Sequence, residues 1–372
     1  MENNFSQKNK ILVFSKFTGY GVGGAQLSFL NLLKNLNADF DFVGCRVKKS
    51  FLAERFKING ISVKQIPIIE IPKFPYLEYF LNRNKVAHFF RKEKSNYLFT
   101  QGIWGAMAIN NFEGKTVFFI RDEYNLGRVP NYFSGLKWLF KEIYLFFQKP
   151  ILNLIFFDVK KAVEKSDLVV ANSKFMAKRI KEIFGKEAEI IYPIIEVEKL
   201  EKIKMPPFSE RKYITLIGAE FIKGREIVEK IAKKMRNHNF LIVGRGFEKP
   251  FQKENILYFP WQKDVLEIYK KTKLVLIPSV WEEAFCRVGV EAMALGILVL
   301  GSNKGGIPEV LDEEFIVKDL WNIDKWCQKI EFLLKHYQKI APLLKEKAKK
   351  FEAKIQIEKF RKIVKEKLGL DL

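Results

Sequence analysis

The chain has 372 residues, 48% of them hydrophobic, which is enough for two domains with a sizeable core. Its 65 Lys and Arg against 43 Asp and Glu leave a net charge of +22. That balance favours an anionic partner (nucleic acid, an anionic membrane or a phosphorylated substrate) unless the excess lysines are merely solvated. No zinc-finger spacing, RNA-binding aromatic signature or helix-turn-helix stands out, so nucleic acid is the weakest partner. The three scattered cysteines, Cys45, Cys286 and Cys327, argue against a disulfide scaffold or zinc site and for a reducing compartment. Met1 to Lys10 is polar, without the apolar core of a signal peptide, and no run of about 18 clean apolar residues occurs. A cytoplasmic protein is expected.

Ile11 to Phe14 reads as a first buried strand, followed by a glycine-rich loop over 16–24 and a helix over 25–36 with Leu27, Leu30 and Leu33 on one face. Further strands are predicted over 40–45, 62–66, 97–100, 116–120 and 168–171, with helical stretches between them, a doubly wound α/β pattern. Residues 133–161 are both aromatic and basic, with Phe133, Trp138, Phe146, Phe147 and Phe157 among Lys137, Lys141, Lys149, Lys160 and Lys161. Pro150 should end or kink a helix there. Two readings are open: the rings pack beneath the first sheet, or the segment lies on a membrane surface with its lysines toward anionic lipid.

The pattern restarts after Met205-Pro206-Pro207, so a linker is expected near 196–210. Strands follow over 214–217, 240–243, 256–259, 274–277 and 297–300. The lysine-rich end, 321–372, is helical, with Pro342 as a break.

The stretch 278–309 organises the chain. Pro278 ends a strand, a helix begins near Phe285 and stops at Gly296, a short buried strand follows, and Gly305-Gly306 leads to Pro308-Glu309. Glu283 stands at the helix entrance and Glu291 about two turns in. Eight residues at helical rise span ~12 Å, and the two acids lie roughly 80° apart, so one elongated ligand can touch both. The helix N-terminus between them favours an anion. An acid at each end and a dipole in the middle suit a sugar joined through a diphosphate to a ribose.

Pro278-Ser279-Val280-Trp281-Glu282-Glu283-Ala284-Phe285, then Glu291-Ala292-Met293-Ala294-Leu295-Gly296, then Gly305-Gly306-Ile307-Pro308-Glu309, closely resemble the donor-site signature of the family-4 retaining glycosyltransferases, which have the GT-B fold and use nucleotide sugars. The resemblance implies that Glu291 holds the ribose hydroxyls and Glu283 the donor sugar, with Phe285 and Cys286 beside the donor. Cys286 stands where the family usually has Gly. Gly23-Gly24-Ala25-Gln26 is similar to the family's first loop, whose amides approach the donor phosphates or the acceptor. Lys223-Gly224 matches the family's Lys-Gly, which assigns Lys223 to the diphosphate, but Ala219 replaces the usual Arg, a gap that Arg225 or Arg245 would have to fill. Arg121-Asp122 occupies the acceptor side, where the family often has His. There Arg121 would grip an acceptor phosphate or carboxylate and Asp122 a hydroxyl, against the alternative of an ordinary surface pair.

Two competing motifs are weaker. Gly19-Tyr20-Gly21-Val22-Gly23-Gly24 fits G-x-G-x-x-G, but four residues separate it from the strand, and Cys45-Arg46 takes the place of the ribose-binding acid. Asp39-Phe40-Asp41 imitates a metal-binding D-x-D, yet it leads into a strand with no further ligand nearby, and no metal or cofactor is expected. The expectation is therefore a GT-B enzyme of two doubly wound Rossmann-like domains facing across a cleft: 1–200, completed by about 352–372, and 201–351. The final helix should cross back to the first domain, with Phe351, Ile355, Phe360 and Ile363 as its buried stripe. The enzyme would move a sugar, with retention, from a UDP-, GDP- or ADP-sugar to a glycan or lipid-linked acceptor. Catalysis would rest on Glu283 and Lys223, and donor binding on Gly23, Gly24, Lys223, Phe285, Cys286 and Glu291. A nucleotide-sugar epimerase or phosphorylase, a non-catalytic nucleotide-sugar-binding protein and an NAD(P)-dependent oxidoreductase are the rival readings.

Overall fold

The structure, a computed structural model, describes residues 11–19, 24–57, 62–129, 135–262 and 264–372, without the side chains of residues 135, 137 and 138. Two units emerge: Met1–Tyr192 with Ile357–Leu372, and Pro193–Gln356. The division thus falls just before the 196–210 stretch expected as linker, and the return to the first unit comes at 357.

The first unit is built on β1 (Ile11–Phe14), β2 (Phe40–Gly44), β3 (Val63–Gln65), β4 (Tyr97–Gln101), β5 (Lys115–Ile120), β6 (Leu168–Ala171) and β7 (Glu189–Ile190). They form one parallel sheet in the order β3-β2-β1-β4-β5-β6-β7, with Ile11 opposite Phe40 on one side and Tyr97 on the other. All four β1 residues are buried, as a strand covered on both faces requires. Its helices include α1 (Gly24–Lys34), α2 (Pro75–Lys92), α3 (Gly102–Asn110) and the 31-residue α4 (Gly135–Lys165).

The second unit holds β8 (Tyr213–Ile217), β9 (Asn239–Gly244), β10 (Phe251–Lys253), β11 (Ile256–Pro260), β12 (Thr272–Ile277), β13 (Leu298–Ser302) and β14 (Ile316–Val317), in the order β10-β11-β9-β8-β12-β13-β14. All its pairings are parallel except the β10–β11 edge. The order reverses between β8 and β12. In such sheets ligands bind outside the strands' carboxyl ends at that switch point. The helices used below are α5 (Arg225–Lys234), α6 (Arg287–Ala294), α7 (Ile323–Lys335), α8 (Tyr337–Ala348) and α9 (Ala353–Leu368).

Residues 357–368 of α9 belong to the first unit. Phe360 packs edge-on to Phe99 (6.0 Å) and against Phe119 (5.7 Å), and Lys115 Nζ donates to the Leu368 carbonyl at 2.9 Å. Three expectations need correction. Ile355 is not part of the buried stripe: it is 50% exposed, whereas Phe351, Phe360 and Ile363 are buried. Pro150 does not end its helix, because α4 runs through it; the carbonyl that loses its donor, that of Phe146, lies on the exposed side, where water can satisfy it. Pro342 likewise lies inside α8, and the chain breaks instead at His336, whose φ is −106°. The rings of 133–161 are not uniformly core either. Ile155 and Val159 are buried, but Phe146, Phe147 and Phe157 are 69%, 73% and 61% exposed. Phe133 and the side chain of Trp138 lie outside the described residues. No helix among the described residues is long and apolar enough to cross a membrane.

Candidate functional site

The loops leaving β8 and β12 carry the residues that the sequence singles out. After β8, Gly218 turns at φ +109°, and a short 3-10 turn, Phe221–Lys223, places Lys223. Gly224 (φ +83°) brings this turn against the end of β12, where a Cβ would stand 2.0 Å from the Pro278 carbonyl. After β12, Ser279 is buried and its Oγ donates to Glu283 Oε1 at 2.7 Å. The Lys223 ammonium donates to the same oxygen at 2.5 Å and stands 5.2 Å from the Trp281 ring centroid. Glu283 is thus held by a hydroxyl and a cation in one mostly buried pocket.

The 282–285 segment is locked by the turn after β13. The Gly306 amide donates to the Glu283 carbonyl (2.6 Å) and the Gly305 amide to Glu282 Oε2 (2.6 Å). Gly305 has φ +57°, and a Cβ there would lie 2.1 Å from the Glu283 carbonyl, so both the backbone conformation and the close approach require glycine. Ser302 Oγ donates to the Ser279 carbonyl (2.9 Å), tying the two loops at their base.

A cavity of about 110 Å³ opens at the switch point, lined by Lys223, Ser279, Glu283, Phe285, Cys286 and Arg287 among others. Helix α6 begins beside it, and its N-cap, Cys286, makes no side-chain capping bond. The Arg287 amide already donates to the Phe285 carbonyl (3.2 Å), so what the start of α6 offers an anion is its dipole. Cys286 is buried, and burial pushes its thiol up to about 12, so it stays neutral and packs. Phe285 is buried too, its ring edge-on to Phe351 at 5.5 Å. Glu291, one turn into α6, accepts from Arg287 Nε (2.6 Å) and the Tyr269 hydroxyl (3.0 Å). Burial raises the Tyr269 pKa well above the ordinary phenol value, so the hydroxyl remains a donor.

Lys223, Glu283, Phe285 and Cys286 therefore line one cavity; the helix begins at Arg287 and not near Phe285, so Glu283 stands in the loop before it and Glu291 one turn inside it. Sequence reading missed Ser279, Arg287 and Tyr269. The i,i+4 spacing of Arg287 and Glu291 was a usable signal; Tyr269 comes from another element and left none. Of the two cations proposed to compensate for Ala219, Arg225 is committed elsewhere: it bonds Glu229 (2.8 Å) and stacks over Phe247 and Tyr258. Arg245 lies over Trp261 instead. Ala219 packs so close to Gly244 that a Cβ on the latter would sit 2.3 Å from its methyl.

In the first unit, Gly24 opens α1 and is exposed, with nothing within 4 Å of where a Cβ would stand; Gly23 lies outside the described residues. Arg121 corrects its expectation. It is buried, its guanidinium lies beside the adjoining rings of Phe29 and Phe119 (5.4 and 5.2 Å), and Nη1 donates to the Ala25 carbonyl at 2.7 Å. It ties β5 to α1 instead of reaching outward to an acceptor. Asp122 caps the 3-10 turn Glu123–Leu126, accepting from the Asn125 amide (2.8 Å) and its side-chain Nδ2 (2.6 Å), and burial raises its pKa to about 6. Asp41, of the D-x-D, is buried within β2. Among the described residues no three His, Cys, Asp or Glu gather closely enough to hold a metal ion.

Two Rossmann-like units, the second with its loops gathered at the switch point in this way, make this a GT-B fold. The model of the family described as glycosyl transferases group 1 matches residues 223–352. It is 26% identical over 215 residues to the "uncharacterized 41.2 kDa protein in cps region" of Klebsiella pneumoniae, a match spanning 52% of this chain and 56% of that relative. Over 45 residues, 12% of each chain, it is 62% identical to the lipopolysaccharide 1,2-N-acetylglucosaminetransferase of Salmonella typhimurium. The crystal structure of Anabaena HepE in complex with UDP and glucose shares the fold, with a TM-score of 0.72 over 96% of this chain and 99% of that one, at 18% identity.

Proposed function

We propose that the chain is a retaining glycosyltransferase that moves a sugar from a nucleotide-sugar donor to an acceptor hydroxyl in envelope glycan or glycolipid synthesis. The observation that carries this reading is the shared cavity at the switch point of the second sheet, where a lysine, a buried carboxylate and an uncapped helix N-terminus converge. The Lys223 ammonium and the N-terminal dipole of α6 stabilise the charge that develops on the leaving diphosphate. As the bond to the donor phosphate breaks, the acceptor oxygen bonds the anomeric carbon on the same face, and its proton passes to the departing diphosphate oxygen. No protein nucleophile takes part. When the diphosphate draws Lys223 away, Ser279 still orients Glu283, which holds the sugar hydroxyls. Glu291 meets the ribose hydroxyls with the lone pairs that Arg287 and Tyr269 leave open, since a carboxylate offers about four acceptor sites.

The envelope assignment draws on the names of the Klebsiella and Salmonella relatives, and UDP is the first nucleotide to test because the Anabaena structure holds it. The net charge of +22 and the exposed rings of α4 support a further reading: the chain works on the cytoplasmic side, against an anionic membrane surface that presents its acceptor. A thermal-shift panel of UDP-, GDP- and ADP-sugars tests the donor class, since a ligand that binds only the folded chain raises its apparent stability. One nucleotide series should raise the melting temperature; no shift with any of them refutes the reading.

A further inference from the structure

The exposed face of α4 ends in a feature that donor chemistry does not use. At 3.6 residues per turn, Leu136, Phe140, Phe147, Phe157 and Lys161 fall on one side of the helix. The four apolar residues are all more than 60% exposed, and from 136 to 157 they span about 32 Å. At the far end a cavity of about 120 Å³ opens, lined by Arg83, Arg91, Asn110, Phe157, Asp158 and Lys161 among others.

The charges in this cavity do not cancel. The carboxylate of Asp158, buried, is fully engaged: Arg83 grips it through Nε and Nη2 (2.8 and 2.7 Å), and the Tyr79 hydroxyl donates at 2.9 Å. That cluster also anchors α4 to α2, and the Asn110 amide bonds the Asp158 carbonyl (2.9 Å) from α3. Arg91 and Lys161 are exposed and have no hydrogen bond or ion pair among the described residues. Two uncompensated cations therefore face a rigid pocket whose rim, Phe157, is the last ring of the apolar stripe.

We propose that this cavity seats the phosphate of an anionic membrane lipid while the apolar face of α4 lies in the headgroup layer. The inference rests on the membrane reading given above and adds a specific site to it. A free phosphate would need only the cations; the contiguous apolar ridge fits a phosphate that arrives at a bilayer surface. Charge complementarity selects the lipid, because lysine and arginine near an anionic surface are attracted to its phosphates.

The test is co-sedimentation of the full chain with phosphatidylcholine vesicles made equally negative in two ways, with phosphatidic acid or with oleate. The variant Arg91→Gln/Lys161→Gln is compared with Lys335→Gln/Lys339→Gln, which removes the same charge from exposed positions in the second unit. The pocket variant should lose about tenfold or more in binding to phosphatidic acid vesicles, and no more than the control on oleate vesicles. Equal losses by the two variants on phosphatidic acid overturn the pocket and leave the membrane reading standing. No binding of the unaltered chain to either vesicle at low salt overturns both. Phe140→Ser/Phe147→Ser should weaken binding to both kinds of vesicle alike, and unchanged binding by this variant overturns the seating of the α4 face in the headgroup layer.

Discussion

Ser279→Ala removes one hydroxyl and isolates the orientation of Glu283 from its charge. Ser279 is 0% exposed, its Oγ donates to Glu283 Oε1 at 2.7 Å, and its carbonyl is fixed by Ser302 at 2.9 Å, so the hydroxyl has no freedom to serve elsewhere. A hydrogen bond to a charged group is worth about 1.5–3 kcal/mol. In the free chain Lys223 still holds the same oxygen at 2.5 Å, so the loss of stability should stay near 1 kcal/mol, read from urea unfolding. In the donor complex proposed above Lys223 would turn to the diphosphate, and the missing hydroxyl would be felt in full. The turnover number should fall about tenfold to a hundredfold, while the affinity for the free nucleoside diphosphate stays within about twofold. Steady-state kinetics with a nucleotide sugar, paired with titration of the nucleotide alone, separates the two. An unchanged turnover number with weakened nucleotide binding would refute the reasoning, because it would place Glu283 on the nucleotide and not on the sugar.

Three further outcomes follow from the same geometry. Glu291→Gln should weaken nucleotide binding about tenfold and leave turnover of the bound donor nearly unchanged, as measured by titration and saturation kinetics. Gly305→Ala forces a Cβ to 2.1 Å from the Glu283 carbonyl at φ +57°, so it should destabilise the chain by about 2 kcal/mol or more and abolish transfer; unaltered urea unfolding would contradict the packing of the two loops. Asp122, with a pKa raised by burial to about 6, favours its protonated form in the folded state, so its contribution is fully present below about pH 4 and is lost as the pH climbs through 6. Asp122→Asn keeps the acceptor for Asn125, removes that dependence, and should gain up to about 3 kcal/mol relative to the parent above pH 7, measured by unfolding across pH.

Much of this fold was legible in the chain. The buried parallel strands announce themselves as short apolar runs without alternation: Leu274 to Ile277 and Ile297 to Leu300 were bounded correctly to within a residue or two, because Pro278 and Gly296 punctuate them. Gly296 does turn at φ +65°, as a helix stop should. The two- and three-residue edge strands β7, β10 and β14 were missed, since so few residues show no period. In the site, the types and spacing of Lys223, Glu283 and Glu291 were visible, but their partners were not. Ser279 stood in the 278–285 motif without a role of its own, and Tyr269, 22 residues before Glu291, bonds it from another element. Arg121 misled because it packs beside Phe29 and bonds the Ala25 carbonyl, residues more than ninety positions away in the chain. Pro150 and Pro342 misled because a proline on the solvent side of a helix gives up a hydrogen bond that water can replace.

The most direct measurement is transfer by Glu283→Gln beside the unaltered chain, with the nucleotide sugar that the thermal-shift panel selects. The unaltered chain should release the nucleoside diphosphate and leave the sugar on the acceptor with its anomeric configuration kept, as read by NMR of the product. The Gln variant should bind the nucleotide as the parent does and lose most of that transfer. Transfer by the variant at the parent's rate, or a product of inverted configuration from the parent, would contradict the central claim.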